Sequence, residues 1–355
     1  MTASDFDEGR VEEFIGQVLG DLGAGVSGAV ARIGHRLGLY RAMAGAGPMT
    51  PRELAERTGT TERYVREWLN NQAAGGYVTY DPTSGRYTLP PEHAFVLADE
   101  DSPVYMAGGL DTMAAAWAAH ERVEDAFQTG EGVAWHDQDP LLFPATECFF
   151  APQYRANLVP AWIPALQGLE ARLQAGGRVA DVGCGHGAST IQLAQAYPNA
   201  ELVGFDYHQA SVEVARKRAA EDGVEDRVAF EVAAATDFPG EDYDLVCFFD
   251  ALHDMGDPVA GAAHTRQALA PDGAVLLVEP YAEDRVEDNL NPLGRVAYGM
   301  STLVCTPSAL SQPGGAALGG QAGEAALRHV FEQAGFSRFR RAAETPVHLV
   351  LEARP

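Results

Sequence analysis

The chain has 355 residues, 46% of them hydrophobic and 21% charged, enough apolar mass for about two ordinary domains. Fifty acids against 25 bases leave a net charge of −25, a surface that repels phosphate backbones and anionic membranes. The sequence shows no uninterrupted apolar run of about 18 residues to span a bilayer, its start MTASDFDEGR is too acidic for a secretory signal, and its single lysine, Lys217, excludes the GK of a P-loop and argues against a lysine Schiff base.

Cys148, Cys184, Cys247 and Cys305 form no CxxC pair, which reads as a reduced, cytoplasmic protein without a structural zinc. Residues 9–45 are expected to be helical, since Phe14, Ile15, Val18, Leu19 and Leu22 recur at helical spacing. The small residues from Val26 to Met43 suit close helix packing, within the domain or against a second subunit. Thr50, Pro51 and Glu53 form a helix start, and Gly59 a stop. A second helix, TERYVREWLNNQAA, ends at Gly75-Gly76, and YVTY and RYTL flank the turn DPTSG as a hairpin. Helix, turn, helix, hairpin is the order of a winged helix.

Such domains often bind DNA, but residues 28–92 carry eight arginines and six acids, a net of only +2. The second helix is itself neutral, with Glu62 and Glu67 beside Arg63 and Arg66, and exposes Tyr64 and Trp68 at most. A dimerising or pocket-walling role is expected instead. Residues 1–95 are assigned to this domain. Residues 96–170 are assigned to a helical linker, broken by prolines, whose aromatics, Trp135, Phe143, Phe150, Tyr154 and Trp162 among them, help roof a pocket.

Residues 171–355 alternate strand and helix in the manner of a parallel α/β sheet with crossover helices. The final SRFRRAAET and PVHLVLEAR are joined by a turn short enough to force antiparallel pairing. SQPGGAALGGQAG (311–323) reads as a mobile loop. Asp181-Val182-Gly183-Cys184-Gly185-His186-Gly187 is a strand end running into a glycine-rich turn and then a helix, a geometry that brings backbone close to a ligand. Asp206, 25 residues after Asp181, ends the next strand, where an acid takes ribose hydroxyls. A nucleoside-containing cofactor follows from that spacing. Gly183, Gly185 and Ala188 also satisfy GxGxxG/A, so a nicotinamide enzyme stays open at this level. Asp181 disfavours a pyrophosphate and suits a cation.

These residues resemble the class I S-adenosylmethionine-dependent methyltransferases: DVGCGHG matches their first motif and LVGFD their second-strand acid. The whole chain is similar to actinobacterial small-molecule methyltransferases of secondary metabolism that carry an N-terminal winged-helix dimerisation domain. FFDALHDMGDP, STLVCTPSALSQ and TPVHLVLEARP carry that likeness. The resemblance implies a Rossmann-like seven-stranded sheet with an antiparallel last strand, behind a mainly helical winged-helix domain. It implies S-adenosylmethionine as cofactor, with Asp181 and the Gly183, Cys184, Gly185, Gly187 turn at the methionine part and Asp206 at the ribose. It also implies Tyr207 beside the adenosine, Ala235, Thr236, Asp237 and Phe238 at the adenine edge, and Phe249 at the fourth-strand exit.

ALHDMGD resembles the HDWxD of plant-type O-methyltransferases, with Met255 in place of tryptophan. That makes His253 the candidate general base, because a hydroxyl acceptor needs one, and Asp254 its neighbour. Trp162, Arg295, Tyr298 and Met300 are the expected substrate contacts. His253 and Asp254 alone are too few ligands for a metal, and Cys305 has no base beside it in sequence. The expected function is methyl transfer to a small molecule, at oxygen by preference, by a homodimer joined through its N-terminal helices. A C- or N-methyltransferase and a ligand-sensing regulator that keeps the cofactor pocket are the alternatives.

Overall fold

The computed structural model describes residues 6–355, which fall into two compact units, one ending at Ala114 and the other running from Ala115 to Pro355. The division lies inside the stretch 96–170. The first five residues of the acidic start lie outside the described residues.

In the first unit a 29-residue helix, Glu8–Arg36, starts at Asp7, whose side chain accepts from the Gly9 and Arg10 amides. Phe14, Ile15, Leu19, Leu22 and Val26 stand exposed along it. By length and composition this helix is apolar enough to cross a membrane, contrary to the expectation from uninterrupted runs, because its glycines and alanines dilute the polar positions without adding charge. The Thr50–Glu53 capping box forms as expected and opens Pro51–Thr58, which Gly59 ends in the left-handed conformation. Helix Glu62–Ala74 follows. Then β1 (Thr79–Asp81) pairs antiparallel with β2 (Arg86–Thr88) to complete the winged helix.

Trp68 is not exposed. Its ring is buried, its indole N–H donates to the Val30 carbonyl at 3.0 Å, and it packs where a Cβ on Gly34 would come within 2.4 Å. Tyr64 is exposed, and Arg52, Arg63 and Arg66 pair with Glu56, Glu67 and Glu62 one helical turn away.

The second unit is built on one seven-stranded sheet. Its strands are β3 (Arg178–Val182), β4 (Glu201–Asp206), β5 (Val228–Val232), β6 (Tyr243–Phe249), β7 (Leu269–Pro280), β8 (Arg338–Glu344) and β9 (His348–Arg354). The order is β5-β4-β3-β6-β7-β9-β8, and only β9 runs against the others. The central strands are largely apolar, as burial on both faces requires: Val179, Leu245, Cys247 and Leu276 face one core, and Ala180, Val246, Phe248 and Leu277 the other. Strand order reverses between β3 and β6, and that switch point opens a crevice beyond their carboxyl ends.

Two helices carry a widened π turn, Leu158–Trp162 and Ser301–Cys305. Proline lies inside or just beyond each, at Pro160 and Pro307, where the missing N–H removes a ladder bond. The glycine-rich 311–323 loop is tied down rather than free: the Ala316 amide donates to Gly256 O at 2.8 Å and the Gly320 amide to Ser301 Oγ at 3.1 Å.

Candidate active site

The crevice at the switch point holds about 570 Å³ and is lined from six directions in sequence. The turn after β3 forms its floor. Gly183 has φ +79°, and a Cβ there would lie 2.6 Å from that of Ala251; Gly187 has φ +80°, and a Cβ there would lie 2.7 Å from the Phe230 ring. Only glycine meets both demands, conformational and steric. The Gly183 and Cys184 amides both donate to Phe205 O, which locks the turn to β4. Gly183, Cys184 and Gly185 face the crevice, whereas Gly187 sets the start of helix Ala188–Ala196. Burial pushes the Cys184 thiol well above its ordinary pKa, so it is a small inert filler.

Asp206, at the end of β4, also lines the crevice. Its Oδ2 accepts from the Gly185 amide at 2.9 Å and its Oδ1 from the His208 amide at 2.8 Å. Each oxygen keeps a further lone pair, so the carboxylate still has room for two hydroxyls. Burial raises its pKa, and the two amide donors oppose that rise. Tyr207, Ala235, Thr236 and Phe249 line the same space.

Several expected contacts lie elsewhere. Asp181 is fully buried beneath the turn and does not line the crevice: its Oδ2 accepts from Ser189 Oγ and Thr190 Oγ1 at 2.7 and 2.6 Å. Burial pushes its pKa up to about 6 against those two donors. Asp237 is exposed and accepts from the Ala234 amide, and Phe238 is packed in the core against Phe205. Trp162 is buried against Tyr154 and His348. Arg295 is exposed and Tyr298 half-buried, and Met300 packs against Ala115, Ala116, Leu142 and Val304. None of these seven lines the crevice. The π turn explains Trp162, since that feature is not visible in residue spacing, and Phe238 lies in the loop after β5, where its ring turns into the core.

The wall opposite the turn comes from helix Leu142–Asn157 and the segment before it, which supply Trp135, Phe143, Phe150 and Tyr154. Glu147 on that helix accepts from His186 at 3.0 Å and pairs with Arg218, tying the wall to the glycine turn. Burial lowers the pKa of His186, so its ring is neutral near pH 7.

His253 and Asp254 follow β6 in a short 3₁₀ turn. Asp254 lines the crevice; His253 lies just behind it, almost fully buried, with Nε2 3.2 Å from Asp254 Oδ1. Its Nδ1 bonds Glu279 Oε2, and the other Glu279 oxygen accepts from the Leu252 amide at 3.0 Å. Burial works against a charged ring at His253, but Asp254 and Glu279 outweigh it and hold the pKa well above the ordinary value. Donor atoms of His253, Asp254 and Cys305 lie within 4.8 Å of one another, so Cys305 does have an imidazole neighbour. Burial raises its pKa to about 11, however, so it stays a thiol.

Glu279, Glu147, Asp250 and Gln312 have no counterpart in the sequence reading. Glu279 left one signal: a carboxylate ending the otherwise apolar AVLLVEP, on the strand beside the one that leads to His253. Gln312 closes the rim, donating to Asp254 O at 2.7 Å and accepting from the Gly256 amide.

Residues 173–335 match the family model described as methyltransferase domain, and residues 25–99 the model described as Rv2258c-like winged HTH domain. The 27-O-demethylrifamycin SV methyltransferase of Amycolatopsis mediterranei is 36% identical over 107 residues, covering 30% of this chain and 39% of its own. Mouse (Mus musculus) acetylserotonin O-methyltransferase is 35% identical over 183 residues, 50% of this chain and 43% of its own. The chain thus spans less than half the length of either curated relative. The solved structure of human N-acetylserotonin methyltransferase in complex with S-adenosylmethionine superposes over 100% of this chain and 99% of its own, with a TM-score of 0.68 at 17% identity, a likeness of fold. On fold, glycine turn and family matches together, the chain carries a methyltransferase domain preceded by an Rv2258c-like winged helix-turn-helix domain.

Proposed function

We propose that the protein methylates a hydroxyl of a small, flat acceptor, with S-adenosylmethionine as donor. The observation that carries this reading is one crevice lined by the glycine turn, Asp206 and Asp254, with His253 and Glu279 in series behind Asp254. The cofactor fits the residues present: the turn leaves open the space that a Cβ on Gly185 would fill, and Asp206 retains lone pairs for a ribose. When bound, it supplies a methyl group activated on a sulfonium. The chain's own residues do the remainder. Gly183–Gly185 and Asp206 orient the donor, Ala235 and Thr236 flank its base, and Trp135, Phe143, Phe150 and Tyr154 hold the acceptor flat and exclude water. Asp254 meets the acceptor hydroxyl, and the His253–Asp254 pair takes up its proton. Glu279 positions the His253 ring through Nδ1.

Titration calorimetry should show S-adenosylmethionine and S-adenosylhomocysteine binding and NAD failing to bind, with S-adenosylhomocysteine released in turnover. NAD binding alone would end this assignment.

The exposed apolar face of Glu8–Arg36 supports a homodimer. Gly16, Gly20, Gly23 and Gly25 have open space where a Cβ would stand, which lets a second helix approach closely. The neutralised recognition helix supports a structural role for the winged helix rather than DNA binding, in a protein working in the cytoplasm. The double variant Leu19→Glu/Leu22→Glu should elute as a monomer where the parent elutes as a dimer in light-scattering chromatography. A monomeric parent that floats with lipid vesicles would show a membrane to be the partner of this face instead.

A further inference from the structure

Resting on the cofactor reading above, we infer that the carboxylate of Asp250, rather than that of Asp181, receives the α-ammonium group of the donor's methionyl part. Asp250 is the first residue after β6 and lines the crevice, although its side chain is almost wholly shielded from bulk solvent. Its Oδ2 is fixed from two sides, by the Tyr154 hydroxyl at 2.7 Å and His348 Nε2 at 3.2 Å. Its Oδ1 is buried and has no hydrogen-bond partner among the described residues. A buried carboxylate oxygen left without a donor is unfavourable and is satisfied by a ligand that brings one.

The backbone reinforces that aim. Asp250 has φ +50°, in the left-handed region that side-chain-bearing residues rarely adopt. Its amide donates to Val278 O at 2.8 Å on the neighbouring strand, which holds the conformation in place. Strained backbone held by its surroundings is a recurring feature of ligand sites.

Geometry selects the ammonium among the donor's groups. The ribose is assigned to Asp206 at the end of β4, and β3 separates β4 from β6. Two strand spacings are roughly 10 Å, the scale of the distance from the ribose to the amino-acid end of the donor. The adenine lies the other way, past β5, where Ala235 and Thr236 stand. The other acids near the crevice are placed or engaged differently. Asp181 also has a buried Oδ1 without a partner among the described residues, but it lies beneath the turn and off the crevice lining, with Oδ2 held by two hydroxyls; Glu147 holds His186 and Arg218, and Asp257 caps the helix that begins at Pro258. Asp254 sits against His253. Phe150, Tyr154 and Phe249 surround Asp250 with low-dielectric wall, which strengthens a charge pair formed there.

The test is calorimetry on the full chain with S-adenosylhomocysteine, which keeps the ammonium, and 5′-methylthioadenosine, which lacks the amino-acid part. Asp250→Asn should weaken S-adenosylhomocysteine about 10- to 100-fold and leave 5′-methylthioadenosine within about twofold of the parent. Asp250→Ser serves the same comparison should the asparagine variant fail to fold. Unchanged S-adenosylhomocysteine affinity, or equal loss for both ligands, overturns the assignment. A parent protein that binds neither ligand removes the cofactor reading itself, and this inference with it.

Discussion

Replacing His253 with alanine is expected to lower kcat by about a hundredfold or more while leaving the Kd for S-adenosylmethionine within about twofold. The split follows from placement. His253 lies behind the crevice wall, bonded to Glu279 and close to Asp254, and touches none of the turn that is proposed to hold the donor. Because the two carboxylates hold its pKa well above the ordinary value, the ring is protonated at neutral pH. Turnover of the parent should therefore rise with pH as the pair gives up its proton, and the alanine variant should lose that slope. Glu279→Gln should keep the slope but move it to lower pH, since it keeps a hydrogen-bond acceptor for the ring and removes a charge that favours the protonated ring. Unchanged kcat and an unchanged pH profile in His253→Ala would take this residue out of the proton path.

Trp162→Ala should cost about 3–5 kcal/mol of stability, enough to lower the melting temperature of a unit this size by on the order of 10 °C. The ring is 1% exposed and lies edge-on to Tyr154 at 6.1 Å and to His348 at 5.6 Å between centroids. No part of it reaches the crevice, so the acceptor KM of the surviving folded protein should move far less than its melting point. A variant with parental stability and a large KM increase would show Trp162 to be a substrate contact after all. The distinction is checked by calorimetric melting alongside steady-state kinetics.

The sheet was legible because each of its signals is local. DVGCGHG places a turn, LVGFD places the acid that ends β4, and a short link between the last two strands forces β9 against its neighbour. The same holds for the Thr50–Glu53 cap, which needs only four consecutive residues. What stayed hidden depends on packing across long separations. Glu279 is 26 residues from His253 and Tyr154 is 96 from Asp250, and nothing in either segment announces its partner. Side-chain direction was the other obstacle. Asp181 and Asp206 both sit at strand ends beside glycines, yet one points beneath the turn and the other onto the crevice. Trp68 and Trp162 likewise look like surface or pocket aromatics until Gly34 and the π turn show where the rings have room.

The place of β9 between β7 and β8 sets the sequence of events during synthesis. When β8 leaves the ribosome, its pairing partner has not been made, so that strand waits unpaired while β3 to β7 already have theirs. His348, the first residue of β9, then arrives to bond Asp250. Asp250 thus gains its second partner only as the last strand docks, and a nascent chain stalled before residue 348 would hold strands β3 to β7 paired with that carboxylate held from one side alone.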